Sequence, residues 1–539
     1  MNADRAGQCT LDISTPPGKT ALEVLRERGA APPSDCGGKG ACGQCRVRVI
    51  RGQFNPWTSS EEELLTPQDR AKGMRLACRL QGSGVIGFQK VQDRTAGLEP
   101  VGVTRHSGSV RARDGHKTDV QHKARYGVAV DVGTTTLRLS LLDWPARRRL
   151  CAVQTLNAQA AFGADVMSRL AAAMQGQGSA LAQVIRAQLF EQIAQLASSC
   201  NLKTEHIERV VLVGNTAMTH LLLGEEVEAL ALAPYRSPLE GQGSLTRKAG
   251  EWGWALAPGA ACQMLPVACS FVGSDLLADL VEIDMQGDER LTLVLDLGTN
   301  GEVALGNSYK IWCASAAAGC AFEATSLHCG VGARPGAVWR VRWERDRVCV
   351  DALGDQPPIG FCGSGSLSAL ALLRRLGWLD PGGRILADSP AFRFNGQASV
   401  TLAQVRGGKL EITQDDVRQI QLAKGAIAAA TQILLEQAHV GPAQLERVIL
   451  IGNFGGRLDV EAALELGLLP PVPASRVEVR QEATLLGAER ALCAEAVERA
   501  FARLAQQVEW ISLVEREGFL EKFAEAMVLQ PQEHHVRAD

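Results

Sequence analysis

An excess of charge of either sign is missing from this chain. Its 56 Lys and Arg face 59 Asp and Glu, a formal net charge of −3, so no global field draws it to nucleic acid or to an anionic membrane. Long apolar runs are missing as well. None approaches the ~18 residues of a membrane span, and the opening MNADRAGQCT has no apolar core of a secretory signal. A cytoplasmic protein with neither nucleic acid nor membrane as partner is the expectation. Proline is sparse, 22 residues against 55 Gly, and with 46% apolar and 21% charged residues the composition excludes a disordered, collagenous or coiled-coil chain. Length is plentiful: 539 residues exceed the ~250–300 that one core sustains, so several domains are expected. Cysteine is plentiful too. The 15 present cannot all pair, and a reducing compartment disfavours disulfides, which leaves metal binding as a role for some.

Residues 1–90 carry four clustered cysteines, β-rich runs such as CRVRVI, and one helix-like stretch, TALEVLRERGA, before Pro32 and Pro33. They read as a small α+β domain. Residues 91–125 turn to Gly, Ser, Arg and His without apolar periodicity, which predicts a flexible basic linker. From Tyr126 to the end, short β runs alternate with long Ala/Leu-rich helical stretches, the α/β pattern. Two signatures recur in the same order. VAVDVGTTT at Asp131 returns as LVLDLGTNG at Asp296, and VVLVGNT at Asn215 returns as VILIGNF at Asn453. A duplicated domain, with an insertion in one half, accounts for both.

Cys36, Cys42 and Cys45 form a C-x5-C-x2-C run, with Cys78 remote. The intervening glycines allow unusual backbone angles and let amides approach the sulfurs, as an iron–sulfur loop requires. A [2Fe–2S] cluster is the expected occupant. A zinc site of four cysteines and unliganded thiols are the alternatives, and zinc is disfavoured because only one short knuckle exists where such sites use two. The remaining cysteines read as structural thiols.

Asp131, Gly133, Thr134, Thr135 and Thr136 sit between apolar runs, so they form the turn of a β-hairpin. Gly133 leaves room for phosphate, the threonines offer donors, and Asp131 can hold Mg²⁺ through water. Asp296, Gly298, Thr299, Asn300 and Glu302 repeat that design. The repetition is what lifts the motif above an ordinary hairpin. Gly452, Asn453, Gly455 and Gly456 end a strand before a helix. Gly319 with Glu323, and Gly363 with Gly365, are further candidates, with a structural helix start as the alternative reading.

The cysteine run resembles that of the β-grasp [2Fe–2S] ferredoxins, although only CTLDIS precedes the helix, so the first strand looks truncated. The paired turns resemble the phosphate loops of the superfamily of acetate and sugar kinases, heat-shock chaperones and actin. That resemblance implies two ribonuclease-H-like lobes with ATP between them, and the adenosine side for Gly452, Asn453, Gly455 and Gly456. Together with NAQAAFGADVMSRL, VLVGNTAMTHLLLG, GFCGSGSLSALALL, ITQDDVRQIQLAKGAI and IGNFGGRLDVEAALELGLLP, the chain is similar to the reductive activators of corrinoid proteins. Cys320 departs from the pattern, standing where proline is expected. The resemblance implies ATP-dependent one-electron reduction of corrinoid Co(II) to Co(I), for a methyltransferase system. Its partners would be a corrinoid protein and a low-potential donor such as a ferredoxin, a flavodoxin or its reductase, and a homodimer is part of the expectation. Under it Cys36, Cys42, Cys45 and Cys78 ligate the cluster, Asp131 and Asp296 position Mg²⁺, and Glu302 orients water, a solvated or salt-bridged Glu being its alternative. A redox-sensing ATP-binding module and a small-molecule kinase with an appended ferredoxin domain are the competing functions. Asp165 and Arg169 read most simply as an i,i+4 ion pair.

Overall fold

The computed structural model describes residues 2–3, 8–34, 36–89, 124–298, 300–322, 324, 327–394, 396–405, 408–452 and 458–532. All but the last two residues of the expected linker lie outside this set. Two compact units result: 1–275 with 487–502, and 276–486 with 503–539.

The first unit begins with a five-stranded sheet in the order Asn2–Ala3, Gln8–Ser14, Gly82–Gln89, Arg46–Phe54, Met74–Leu76. Every pairing in it is antiparallel. The opening hairpin is therefore present but reduced to two residues on one side, Asn2 opposite Thr10 and Ala3 opposite Cys9. Helix Ala21–Glu27 starts at a capping box in which Thr20 and Glu23 satisfy each other's backbone amides. Its Leu22 and Leu25 are buried in the core.

The same unit continues into a six-stranded sheet. Strands Tyr126–Val132, Thr136–Asp143 and Arg148–Leu156 form an antiparallel meander, and Ile207–Gly214 and Ala261–Met264 add in parallel on the other side of Tyr126–Val132. The second unit repeats the plan. Thr292–Leu297, Gly301–Gly306 and Ile311–Ala316 meander, and Arg447–Ile451 and Val477–Arg480 add in parallel. Register makes the duplication concrete: Asp131 lies beside Val213 in its parallel neighbour, and Asp296 beside Ile451 in its own.

The Ala/Leu-rich stretches form helices Gly178–Ser199 and Gln414–Gln437. The latter begins at a Thr413–Asp416 capping box and packs Ile420, Ile427 and Leu434 into the second core. Its close approach explains Gly301, where a Cβ would stand 1.9 Å from Ile427 Cδ1. Lys424, on the same helix, is buried and gives Nζ to the carbonyls of Ala526 and Val528, both at 2.5 Å. Burial pushes its pKa down to about 7.

Gly363 and Gly365 open the buried helix Gly363–Arg375. A Cβ at either would meet a backbone carbonyl oxygen at 1.9 Å, that of Phe322 or of Val338. Tight packing accounts for both glycines, in favour of the helix-start reading. Asp165 also takes a structural role: it caps helix Val166–Ala172 by accepting from Ser168 N at 2.7 Å. Arg169 is fully buried and donates Nε to Gly163 O at 2.9 Å. Among the described residues no helix is long and apolar enough to cross a membrane.

Candidate cluster and nucleotide sites

The cysteine loop follows from its glycines. Gly37, Gly38, Gly40 and Gly43 all have positive φ, between 65° and 99°, angles that side-chain-bearing residues rarely adopt. The loop brings Cys36 and Cys42 Sγ within 3.4 Å. Cys45 and Cys78, both buried, form a second pair, each shifting the other's ionisation. Burial works against the Cys36 thiolate, but backbone amides of Ala41, Cys42 and Gly38 point at its sulfur and bring it down to about 6. Burial raises its neighbour Cys42 to about 11. Their mutual interaction lowers Cys45 and raises Cys78.

Two thiol pairs are the donor set of a binuclear cluster, which takes two thiolates on each iron. The one short knuckle and the Cys36–Cys42 pair fit a [2Fe–2S] cluster better than a single zinc ion held by four cysteines.

Cys78 is fixed from below. Ala77 N donates to Cys45 O at 2.8 Å. The strand before it is held by Glu61, fully buried, which accepts Arg75 Nε at 2.7 Å, Arg75 Nη2 at 3.0 Å and Leu76 N at 3.0 Å. Replacing Glu61 by alanine strands the Arg75 charge, although the carbonyls of Asn55 and Pro56 and the Trp57 ring still face it. The expected cost is about 3 kcal/mol, read as a lower urea midpoint of the cluster-binding domain with unchanged unfolding of the remainder.

In the same unit, Asp131 ends its strand with 7% exposure, its Oδ2 3.5 Å from Arg138 Nη1. Burial pushes its carboxyl up to about 6, with Arg138 pulling the other way. The turn 133–135 is gripped from both sides. Asn157 donates Nδ2 to Gly133 O at 2.9 Å and its backbone N–H to Thr135 O at 2.8 Å. Asn215, which caps helix Thr216–Leu223, donates Nδ2 to Thr134 Oγ1 at 3.0 Å. A Cβ at Gly133 would lie 2.4 Å from Thr136 O, so the turn is closed tightly on itself.

In the second unit Asp296 and Glu302 lie directly opposite in the hairpin register. Glu302 is 4% exposed, and Ser315 Oγ donates to its Oε1 at 3.5 Å. Gly298 and Asn300 complete the turn, while Thr299 lies outside the described residues. Gly319 opens a short 3-10 turn with φ of 68°, and Gly452 follows its strand with φ of 148°. Asn453, Gly455, Gly456 and Glu323 lie outside the described residues.

Three family profiles match the chain: the 2Fe-2S iron-sulfur cluster binding domain over residues 6–81, the RACo middle region over 126–288, and the C-terminal domain of RACo, the ASKHA domain, over 290–537. The chain belongs to the RACo family. It is 34% identical over 368 residues to the corrinoid activation enzyme RamQ of Eubacterium limosum, a match covering 65% of this chain and 61% of that protein. It is 27% identical over 379 residues to the Co(II) methylated amine-specific corrinoid protein reductase of Methanosarcina barkeri, covering 64% of this chain and 66% of that protein. The chain thus spans less than two thirds of the length of either relative. In fold it is similar to a solved reductive activator for corrinoid, iron-sulfur protein, with a TM-score of 0.72 at 24% identity over 96% of each chain.

Two members of this RACo-family architecture were not singled out by sequence reasoning: Asn157, the clasp of the first turn, and Arg26, buried beside the thiols. Asn157 lies in a string that carries the family resemblance, NAQAAFGADVMSRL. Arg26 carries no motif signal, because its partners are more than a hundred residues away in sequence.

Proposed function

We propose that this chain uses ATP to drive a single low-potential electron through its [2Fe–2S] site into a corrinoid protein, converting inactive Co(II) to Co(I) for a methyltransferase system. The observation that carries the reading is the pairing of four converging thiols with two carboxylate turns of matching register in one chain. The names of the two relatives, both concerned with corrinoid proteins, support it. The functional division is 1–90 for the cluster, 91–125 for the linker and 126–539 for the nucleotide, in a cytoplasmic protein. A ferredoxin- or flavodoxin-type donor and a homodimer complete the reading.

When bound, the cluster supplies a one-electron carrier near ~−400 mV if it is of the plant type. Every ~59 mV by which the cobalt couple lies lower costs about 1.4 kcal/mol. Nucleotide binding offsets that cost if one conformation is selected by both Mg·ATP and the Co(II) partner. The chain's own residues have separate tasks. Cys36, Cys42, Cys45 and Cys78 hold the cluster, with the Gly38, Ala41 and Cys42 amides turned to sulfur. Asp131 and Asp296 orient Mg²⁺. Gly133, Thr134, Thr135, Thr136, Gly298, Thr299 and Asn300 receive the phosphates, and Glu302 orients the attacking water. Gly319, Gly452, Asn453, Gly455 and Gly456 are assigned to the nucleotide's remaining contacts.

Asp131 gives the reading a pH signature. A carboxyl with a pKa of about 6 is neutral below that pH and cannot hold a cation. Mg²⁺-dependent ATP affinity is therefore expected to fall roughly tenfold from pH 7 to pH 5, and Asp131→Asn to flatten the profile in equilibrium dialysis. The same shift has a stability consequence. Because the native pKa lies above the ordinary carboxyl value, the native state holds the extra proton between about pH 4 and 6. Asp131's contribution to stability thus falls as pH rises through that window.

The testing experiment measures ADP release with and without a Co(II) corrinoid protein under anaerobic conditions. Partner-stimulated release, with all terminal phosphate recovered as inorganic phosphate, supports the activase. A phosphorylated organic product would establish the kinase reading instead.

A further inference from the structure

The cluster loop and the first phosphate turn are joined by one short segment, residues 157–162. At its start, Asn157 clasps the turn through Gly133 O and Thr135 O. At its end, Ala161 and Phe162 receive Arg26 from the cluster-binding domain. Arg26 donates Nε to Ala161 O at 2.8 Å and Nη1 to Gln177 Oε1 at 3.2 Å, and its guanidinium lies 4.9 Å from the Phe162 ring centroid. Between them, Ser34 N donates to Ala160 O at 3.1 Å, two residues before the first cluster cysteine. A Cβ at Gly37 would stand 3.0 Å from Phe162 O. Both ends of the segment are therefore in direct contact with a site.

Arg26 is 6% exposed, and its Nη2 is buried with no hydrogen-bond partner among the described residues. A Cβ at Gly38, inside the cysteine loop, would lie 3.8 Å from both its Nη atoms. Burial lowers its pKa to about 10, against the pull of Cys45, Glu23, Cys78 and Cys36, so it stays charged at neutral pH. A buried cation beside a cluster stabilises the reduced form, which carries one more negative charge.

We propose that Arg26 is a positioning residue that, through segment 157–162, couples nucleotide at the first phosphate turn to the reduction potential of the cluster. This deepens the function proposed above and rests on it. Reduction adds one electron from dithionite and breaks no bond; nucleotide binding changes only how well the added charge is stabilised. Nucleotide brings negative charge and moves the turn that Asn157 holds, so it disfavours the reduced form, the direction that expels an electron.

The experiment titrates reconstituted full-length protein against redox mediators, with and without a Mg²⁺ complex of an ATP analogue bearing a methylene bridge between the β and γ phosphorus atoms. It also measures analogue Kd for oxidised and dithionite-reduced protein. In the wild type, analogue is expected to lower the reduced-to-oxidised ratio at fixed potential by fivefold or more, with an equal ratio between the two Kd values, because linkage is reciprocal. Arg26→Gln is expected to lower the ratio about tenfold without nucleotide, a shift of about 59 mV for one electron, and to bring the nucleotide effect within twofold of none. Arg26→Lys keeps the charge but loses the Nε bond and the stack on Phe162. It should hold a near-normal potential with weakened coupling, and it carries the test if Arg26→Gln loses its iron. Equal Kd values in the two redox states of the wild type, or full coupling retained in both variants, overturn the proposal while leaving the activase reading intact. Absence of analogue binding to oxidised wild type overturns both.

Discussion

Cys42→Ala protein, reconstituted with iron and sulfide in parallel with the wild type, is expected to retain little iron and to form Co(I) at least ~100-fold more slowly. Cys42 is the informative member of the set because its sulfur stands 3.4 Å from that of Cys36, so one deletion breaks one pair and leaves Cys45 and Cys78 intact. The control is nucleotide binding. The clasp of the first turn by Asn157 and Asn215 uses no thiol, so the variant should still bind Mg·ATP, its Kd altered only by the coupling between cluster and turn. Iron content, the visible cluster spectrum and nucleotide Kd on one preparation check all three expectations.

Asp296→Ala is expected to give the complementary loss. Iron content and cluster spectrum should be unchanged, while partner-stimulated ATP hydrolysis falls on the order of 10²–10³-fold, the usual effect of removing one preorganised charge-stabilising group. The register carries this prediction. Asp296 faces Glu302 across the hairpin, and Glu302 is held by Ser315 on the next strand, so the two carboxylates have fixed positions with only a turn between them. Removing Asp296 leaves that backbone intact: the hairpin is pinned by helix Gln414–Gln437 packing onto Gly301. The defect should therefore appear in hydrolysis and not in thermal unfolding. Stopped-flow phosphate release, beside a melting curve, separates the two.

Much of this architecture was legible in the sequence because it is written in local, repeated chemistry. The D-x-G-T turns at Asp131 and Asp296 flank apolar strands, and any chain that repeats such a unit must bury both copies in the same way. The C-x5-C-x2-C spacing with interleaved glycines likewise leaves few alternatives. What escaped was set by contacts distant in sequence. The first strand looks truncated in the sequence, and only backbone pairing of Asn2 and Ala3 with Thr10 and Cys9 shows the short hairpin that remains. Asp165 and Arg169 have the spacing of an ion pair, but a helix start claims the first and a buried carbonyl the second. Gly363 and Gly365 read as cleft candidates with a helix start as the alternative, and the carbonyls of Phe322 and Val338 pressing on them favour the helix start. Arg26 had no signal at all. Its meaning lies in Phe162, Ala161 and the thiols, which the fold alone brings together.

The central claim is that ATP makes an otherwise unfavourable electron transfer to cobalt proceed. Anaerobic absorbance spectroscopy of the reconstituted protein, mixed with a Co(II) corrinoid protein and a low-potential reductant, tests it most directly when run with and without Mg·ATP. The account predicts Co(I) bands only with Mg·ATP, and none with Cys42→Ala or Asp296→Ala. A cluster that reduces normally while cobalt stays Co(II) in the presence of Mg·ATP, or Co(I) formed equally well without nucleotide, would contradict it.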